Sequence, residues 1–282
     1  MRPFIITLFL FGLVASLPAQ DVRLPMKDGS VKFAVIGDTG TGDSRQLEVA
    51  RALAAARAKF PFDFSLMVGD NMYGADSARD YVRKFEAPYK PLLSAGVKFY
   101  AALGNHDDPN QRFYKPFNMG GERYYTFKPS LNAGVRFFAL DSNYMDERQL
   151  SWLDKELASS GSDWKIAFFH HPPYSSGETH GSADLIRQQL EPLFVKHSVQ
   201  VVFTGHEHFY ERIKPQKGVT YFIGGASAKL RRGDLTKTEL TAKGWDQGYT
   251  YMLLELVDDQ LTFQTLSSTG QTIDSGVITR KP

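Results

Sequence analysis

Five short segments of this chain carry side chains suited to binding metal ions: Gly37-Asp38, Gly69-Asp70-Asn71-Met72-Tyr73, Gly104-Asn105-His106-Asp107, His170-His171-Pro172 and Gly205-His206-Glu207-His208. Of the seven histidines in the sequence, five lie inside them. Each segment follows an apolar run. In open α/β sheets the loops beyond the carboxyl ends of strands converge on one site, so side chains far apart in sequence can meet there. A hydrolytic two-metal centre needs a bridging carboxylate, oxygen and imidazole ligands on either side, and an open position for water. The segments hold that set. Each is weaker alone: Gly-Asp after a strand is commonly a turn or a helix cap, and Gly104-Asn105-His106-Asp107 is an acceptable turn. The alternating histidines of residues 206–208 make poor core residues and good chelators.

The elements that must position these segments are legible in the hydrophobic pattern. Val31 to Ile36 reads as a strand, followed by a helix from Ser44 to Lys59 with Ser44 as N-cap. Phe62 to Val68, a helix from Asp80 to Leu93 and Val97 to Leu103 repeat the unit, which predicts right-handed βαβ crossovers. Val135 to Leu140, Trp164 to Phe169 and Val199 to Phe203 read as strands, with helices at Glu147 to Leu157 and Ala183 to Lys196. After His208 come the strands Val219 to Ile223, Tyr249 to Val257, Leu261 to Thr265 and Thr272 to Ile278, joined by turns without helix signals. The stretch from Ala226 to Gly248, with Lys229, Arg231 and Arg232, reads as an exposed loop, a lid beside a phosphate being the other reading.

At 282 residues, with 42% hydrophobic and 23% charged residues, the chain can build a sizeable core as one domain. Met1-Arg2, the apolar stretch from Phe4 to Val14 and the small residues up to Ala19 have the three regions of a secretory signal peptide, with cleavage after Ala19 or, alternatively, at Ala15 or Ser16. The stretch is too short to span a bilayer. Residues 20–30 read as a polar leader, and the folded domain is placed at 28–282. The location implied is secreted or periplasmic. The sequence has no cysteine, so stability rests on packing and bound metal. The net charge of +2 speaks against a nucleic-acid module or a membrane-surface binder, and no stable membrane anchor is expected.

In order and spacing the five segments resemble the metallophosphoesterase superfamily, and Tyr73 makes them similar to its small purple acid phosphatases of the tartrate-resistant type. Gly205 to Arg212 is the closest block, and the resemblance covers roughly residues 31 to 225. It implies a four-layer α-β-β-α sandwich, two mixed sheets face to face with helices outside. It implies that Asp38, Asp70, Tyr73 and His208 hold one metal, Fe(III), and that Asp70 bridges to a divalent ion (Fe, Zn or Mn) held by Asn105, His170 and His206. Carboxylates and a phenolate are hard anionic donors suited to a trivalent ion, whereas an amide and imidazoles suit a divalent one. A tyrosinate on Fe(III) gives a visible charge-transfer band, so the resemblance implies a coloured protein. His171 is assigned either to the outer shell or to a direction away from the site. His180 faces substrate in similar enzymes, and His197 reads as a helix C-cap.

The resulting expectation is an exported, monomeric acid phosphatase hydrolysing small phosphate monoesters by attack of metal-activated hydroxide, with His106 and His180 contacting phosphate or protonating the leaving oxygen. Rival readings are a phosphodiesterase or nucleotide phosphohydrolase with two divalent ions, a non-catalytic exported metal- or phosphate-binding protein, and redox chemistry at iron. Substrate choice is expected in the loops Gly74 to Ser77, Asp108 to Gly121 and Ala226 to Gly248. Tyr114, Tyr124 and Tyr174 are either pocket residues or packing.

Overall fold

Alternation within the first strand shows how the layers are made. In β1 (Val31–Ile36) Phe33 and Val35 point into one apolar cluster, while Ala34 and Ile36 point into another. A strand buried on both faces is the middle of a sandwich. The computed structural model describes residues 21–130 and 133–280, so the signal-peptide reading lies outside the described residues.

The first half alternates as the pattern predicts: α1 (Ser44–Lys59), β2 (Phe64–Met67), α2 (Ala78–Tyr81), α3 (Lys90–Ser94) and β3 (Lys98–Ala101). Next come β4 (Tyr125–Phe127), β5 (Val135–Ala139), α4 (Glu147–Ala158), β6 (Trp164–Phe168), α5 (Asp184–Lys196) and β7 (Val201–Thr204). The remainder is all strand: β8 (Tyr210–Ile213), β9 (Thr220–Gly224), β10 (Thr241–Trp245), β11 (Thr250–Val257), β12 (Gln260–Ser267) and β13 (Thr272–Thr279). Two mixed sheets result, ordered β13-β12-β11-β1-β2-β3 and β10-β8-β9-β7-β6-β5-β4. The inner strands β1-β2-β3 and β5-β6-β7-β9 are parallel. The C-terminal meander β11 to β13 returns to the first sheet beside β1.

Aromatic residues fill the space between the sheets. Phe33 of β1 stacks on Phe64 at 5.4 Å and meets Phe137 of the opposite sheet edge-on at 5.3 Å, a geometry that adds to the area term. The outer faces are covered by α1 and α3 on one side and by α4 and α5 on the other. The fold is therefore the helix-sheet-sheet-helix sandwich.

Four local expectations are corrected. Asp43, not Ser44, caps α1, its carboxylate accepting from the Arg45 amide at 3.0 Å. The helix expected from Asp80 to Leu93 is broken: α2 runs into a π-helical turn over Val82–Glu86, and α3 starts only at Lys90. That turn puts both Lys84 and Phe85 inside. β8 and β10 were not expected as strands, and β10 lies within the stretch read as an exposed loop. The chain before Val31 is also docked, for buried Glu255 accepts from the amides of Met26 at 2.7 Å and Lys27 at 2.6 Å.

Candidate metal centre

All five segments lie where parallel strands end, at one edge of the sandwich. Asp38 follows β1, Asp70 and Tyr73 follow β2, Asn105 follows β3, His170 follows β6, and His206 and His208 follow β7. Asp38, Asp70 and His206 hold positive φ angles of 55°, 52° and 70°. Non-glycine residues adopt this region at a cost, and such strain concentrates at functional sites. Close approach explains two glycines. A Cβ on Gly104 would overlap the Asp70 amide and carboxylate, and one on Gly205 would press on the Asp38 carboxylate.

The donor atoms fall into two groups. In the first, the Tyr73 hydroxyl donates to Asp38 Oδ1 at 3.1 Å and lies 3.4 Å from His208 Nε2, which is 3.4 Å from Asp38 Oδ1. In the second, Asn105 Oδ1 lies 3.0 Å from His170 Nε2 and 3.0 Å from His206 Nδ1, and those two nitrogens are 3.2 Å apart. Asp70 stands between the groups. It clusters with Asp38 and His208, and its Oδ1 is 3.4 Å from His170 Nε2. Donor atoms about 2.1 Å from a shared cation, at right angles, lie about 3 Å apart.

Charge argues the same way. Burial and the neighbouring Asp70 hold the Asp38 carboxyl well above its ordinary range, and burial with Asp38 raises the Tyr73 phenol. Burial and the neighbouring histidines press His206 down to about 2, and burial with Arg231 lowers His208 to about 4. Such a set resists ionising as acids and protonating as bases, and a bound cation inverts that logic at every member. His170 is already oriented: its Nδ1 faces the Val68 carbonyl at 3.0 Å, which turns the Nε2 lone pair toward Asn105.

The histidine left open in the sequence faces inward. His171 Nδ1 meets Ser142 Oγ at 2.8 Å, and its ring lies 4.5 Å from that of His206. His106 and His180 are both exposed over the groups, His106 4.9 Å from the Tyr73 ring and His180 4.2 Å from the His206 ring. Arg231 Nη2 lies 3.3 Å from His180 Nε2. A guanidinium only donates, so Nε2 accepts and the His180 ring proton sits on Nδ1. His197 stands apart, at the C-cap of α5 and 2.6 Å from Asp154.

Several residues escaped the sequence reading. Asp107 accepts from the amides of Gly104 at 2.8 Å, Asn71 at 3.0 Å and Met72 at 2.9 Å, tying the loop after β3 to the loop after β2. Burial and Asp70 raise it to about 7. Buried Lys84 donates to the Tyr73 carbonyl at 2.7 Å and also to that of Ala75. Glu207, fully buried, accepts from the Gly181 amide at 2.8 Å and pairs with Arg231 at 3.5 Å, and burial lifts it to about 7. The stretch from Ala226 to Gly248 is exposed or half-exposed over most of its length, but its start is not. Ala226, Ser227 and Ala228 are buried, Ser227 Oγ accepts from the Gly37 amide at 3.2 Å, and Lys229 Nζ stands 4.3 Å from the Tyr73 ring centroid. Tyr114, Tyr124 and Tyr174 are packing residues, against Phe117 at 5.0 Å, Trp152 at 4.9 Å and Tyr221 at 5.1 Å respectively.

The sequence profile of the calcineurin-like phosphoesterases matches residues 31–210, the part of the chain that carries every donor above. The chain belongs to that family. Its relatives include purple acid phosphatase 17 of Arabidopsis thaliana, 25% identical over 271 residues, 83% of this chain and 79% of that protein. Human tartrate-resistant acid phosphatase type 5 is 28% identical over 258 residues, 75% of this chain and 78% of that protein. Among solved structures, a purple acid phosphatase from yellow lupin seeds superposes with a TM-score of 0.72 at 22% identity, over 90% of this chain and 54% of that one. GAP50, described as the anchor in the inner membrane complex of Plasmodium, gives 0.80 at 18% identity over 90% of both chains. These likenesses show the shared fold. With the family they make the chain a phosphoesterase of the purple acid phosphatase type, with a binuclear metal centre implied.

Proposed function

We propose that the protein is an exported acid phosphatase that hydrolyses small phosphate monoesters. The convergence of two donor groups on either side of Asp70 carries the reading. Asp38, Asp70, Tyr73 and His208 would hold Fe(III), and Asp70, Asn105, His170 and His206 a divalent ion. The hardness of the first donor set and the neutral donors of the second support that division. Two such ions would supply positive charge for the phosphoryl oxygens and a nucleophile available at mildly acid pH.

The chain's own residues do the rest. His180, with its proton on Nδ1, donates a hydrogen bond to a phosphoryl oxygen, and Arg231 keeps that tautomer. His106, exposed beside Tyr73, protonates the departing alcohol oxygen. Among the described residues Lys229 Nζ makes no hydrogen bond or ion pair, so its charge is available to a dianionic monoester. A diester carries one negative charge fewer, and this supports the monoester reading over the diester one. Comparing kcat/KM for an aryl monoester and a bis-aryl diester tests it, and a faster diester would overturn it. The second reading, a non-catalytic role, draws support from GAP50, whose description is that of an anchor. The complete donor set speaks for turnover, and an assay on any monoester decides between them.

A further inference from the structure

His180 is exposed near the end of a stretch outside the helices and strands, residues 175–181, yet that stretch is tied down on buried acids. Glu207 is the innermost of them. Its Oε1 accepts from the Gly181 amide at 2.8 Å and from the Ser175 hydroxyl at 3.3 Å. A Cβ on Gly177 would stand 2.7 Å from the same oxygen, so the chain wraps directly over the carboxylate. Asp234, also buried, accepts from the Thr179 amide at 3.0 Å and from the Thr179 hydroxyl. Backbone bonds run beside these: the Glu178 amide donates to the Asp234 carbonyl at 3.0 Å, and the Thr236 amide to the Ser176 carbonyl at 3.1 Å.

Arg231 is the cation between the two acids. Its Nη1 lies 3.5 Å from Glu207 Oε2 and 3.3 Å from Asp234 Oδ2, while its Nη2 reaches His180 Nε2 at 3.3 Å. Its amide donates to the His208 carbonyl at 3.0 Å, which fixes the near end of the side chain too. A guanidinium is a rigid planar fork, so holding Nη1 on two carboxylates sets where Nη2 points. Glu207 Oε2 has no hydrogen-bond partner among the described residues, so the Arg231 charge is what compensates its burial. Backbone bonds alone would dock the loop. Two buried carboxylates on an arginine whose other arm meets His180 do more, because they aim that arm.

Resting on the phosphatase reading above, we infer that Glu207 and Asp234 are positioning residues that, through Arg231, hold His180 in the orientation that meets the phosphate. Neither acid touches the reacting atoms. They act through the guanidinium and through the amides of Thr179 and Gly181, one on each side of His180. Glu207 stands between His206 and His208 in the chain, so one residue links the loop that carries two metal donors to the loop that faces substrate. An exposed histidine on an unanchored loop would have to be ordered by each phosphate that binds, and a clamp set beforehand removes that cost.

Glu207→Gln tests this, since it keeps the volume and an oxygen for Gly181 but sets a side-chain amide N–H against the guanidinium, donor against donor. In the metal-loaded full chain, KM for para-nitrophenyl phosphate and the Kd of inorganic phosphate by calorimetry should each rise about tenfold, the size of one hydrogen bond to a charged group. Ground state and transition state lose the same contact, so kcat should change by less than about threefold. His180→Ala should have the same effect, and the double variant should match His180→Ala alone within about twofold, because the two residues act as one unit. Asp234→Asn, remote in sequence from every metal donor, carries the same comparison should Glu207→Gln not fold. KM and Kd unmoved by replacement of either acid, or an effect that persists undiminished in the His180→Ala background, would overturn the clamp while turnover in the unaltered protein stands. If the unaltered protein hydrolyses no monoester, the phosphatase reading fails and the clamp's role falls with it.

Discussion

Asp107 shows how much of the site depends on a side chain that binds nothing itself. Three backbone amides from two loops point at its carboxylate, and the loops they belong to carry Asp70, Tyr73 and Asn105. Replacing Asp107 by Ala should weaken metal binding by about 10- to 100-fold, the range for groups that orient ligands, measured by titration of the metal-free protein. An affinity unchanged within twofold would show the loops to be set by other contacts. Tyr73→Phe is the complementary change, expected to abolish the visible absorption while the fold is retained. The seven candidate donors were named from the order of the five segments and the resemblance they carry, and the structure brings their atoms into two adjacent groups. Asp107, Glu207 and Lys84 were not, because a side chain that braces a loop is recognised by what it touches.

At the scale of elements, boundaries were harder to read than centres. The sequence from Asp80 to Leu93 has helical spacing, yet Pro88 has no N–H to donate and its ring crowds the carbonyl four residues back, and the π-turn before it brings Lys84 to the carbonyls of Tyr73 and Ala75. Lys84→Met should cost about 1 to 3 kcal/mol, the desolvation of carbonyls left unpaired, seen as a lower urea midpoint, and should weaken binding at the Tyr73 site. An unchanged midpoint would contradict it. The cap of α1 offers a pH test. The Arg45 side chain holds Asp43 at about 2, below its ordinary 3.8. A depressed folded pKa contributes stability above the unfolded value that is lost as pH falls through the folded one. Hydrogen-exchange protection in the first turn of α1 should therefore decline between about pH 4 and pH 2. In Asp43→Ala, about 1 kcal/mol weaker in the cap, that decline should vanish. β8 and β10 escaped the pattern because they are short and carry charged residues such as Glu211, Arg212 and Lys243.

The whole molecule is two sheets sharing one aromatic core, with every donor on loops at one edge. Phe33, in contact with Phe64, Phe137 and Phe203, is central to that core. Phe33→Ala should cost about 3 to 5 kcal/mol. The metal centre ties loops from both sheets together, so chelation should lower Tm, by an amount set by the ratio of free metal to Kd. Elemental analysis of the purified protein, taken together with its visible spectrum, bears most directly on the division of donors around Asp70. Two metal ions per chain, one of them iron, with a visible band that Tyr73→Phe removes, is the expected result. Phosphatase activity persisting in protein that contains neither iron nor a second metal would contradict it.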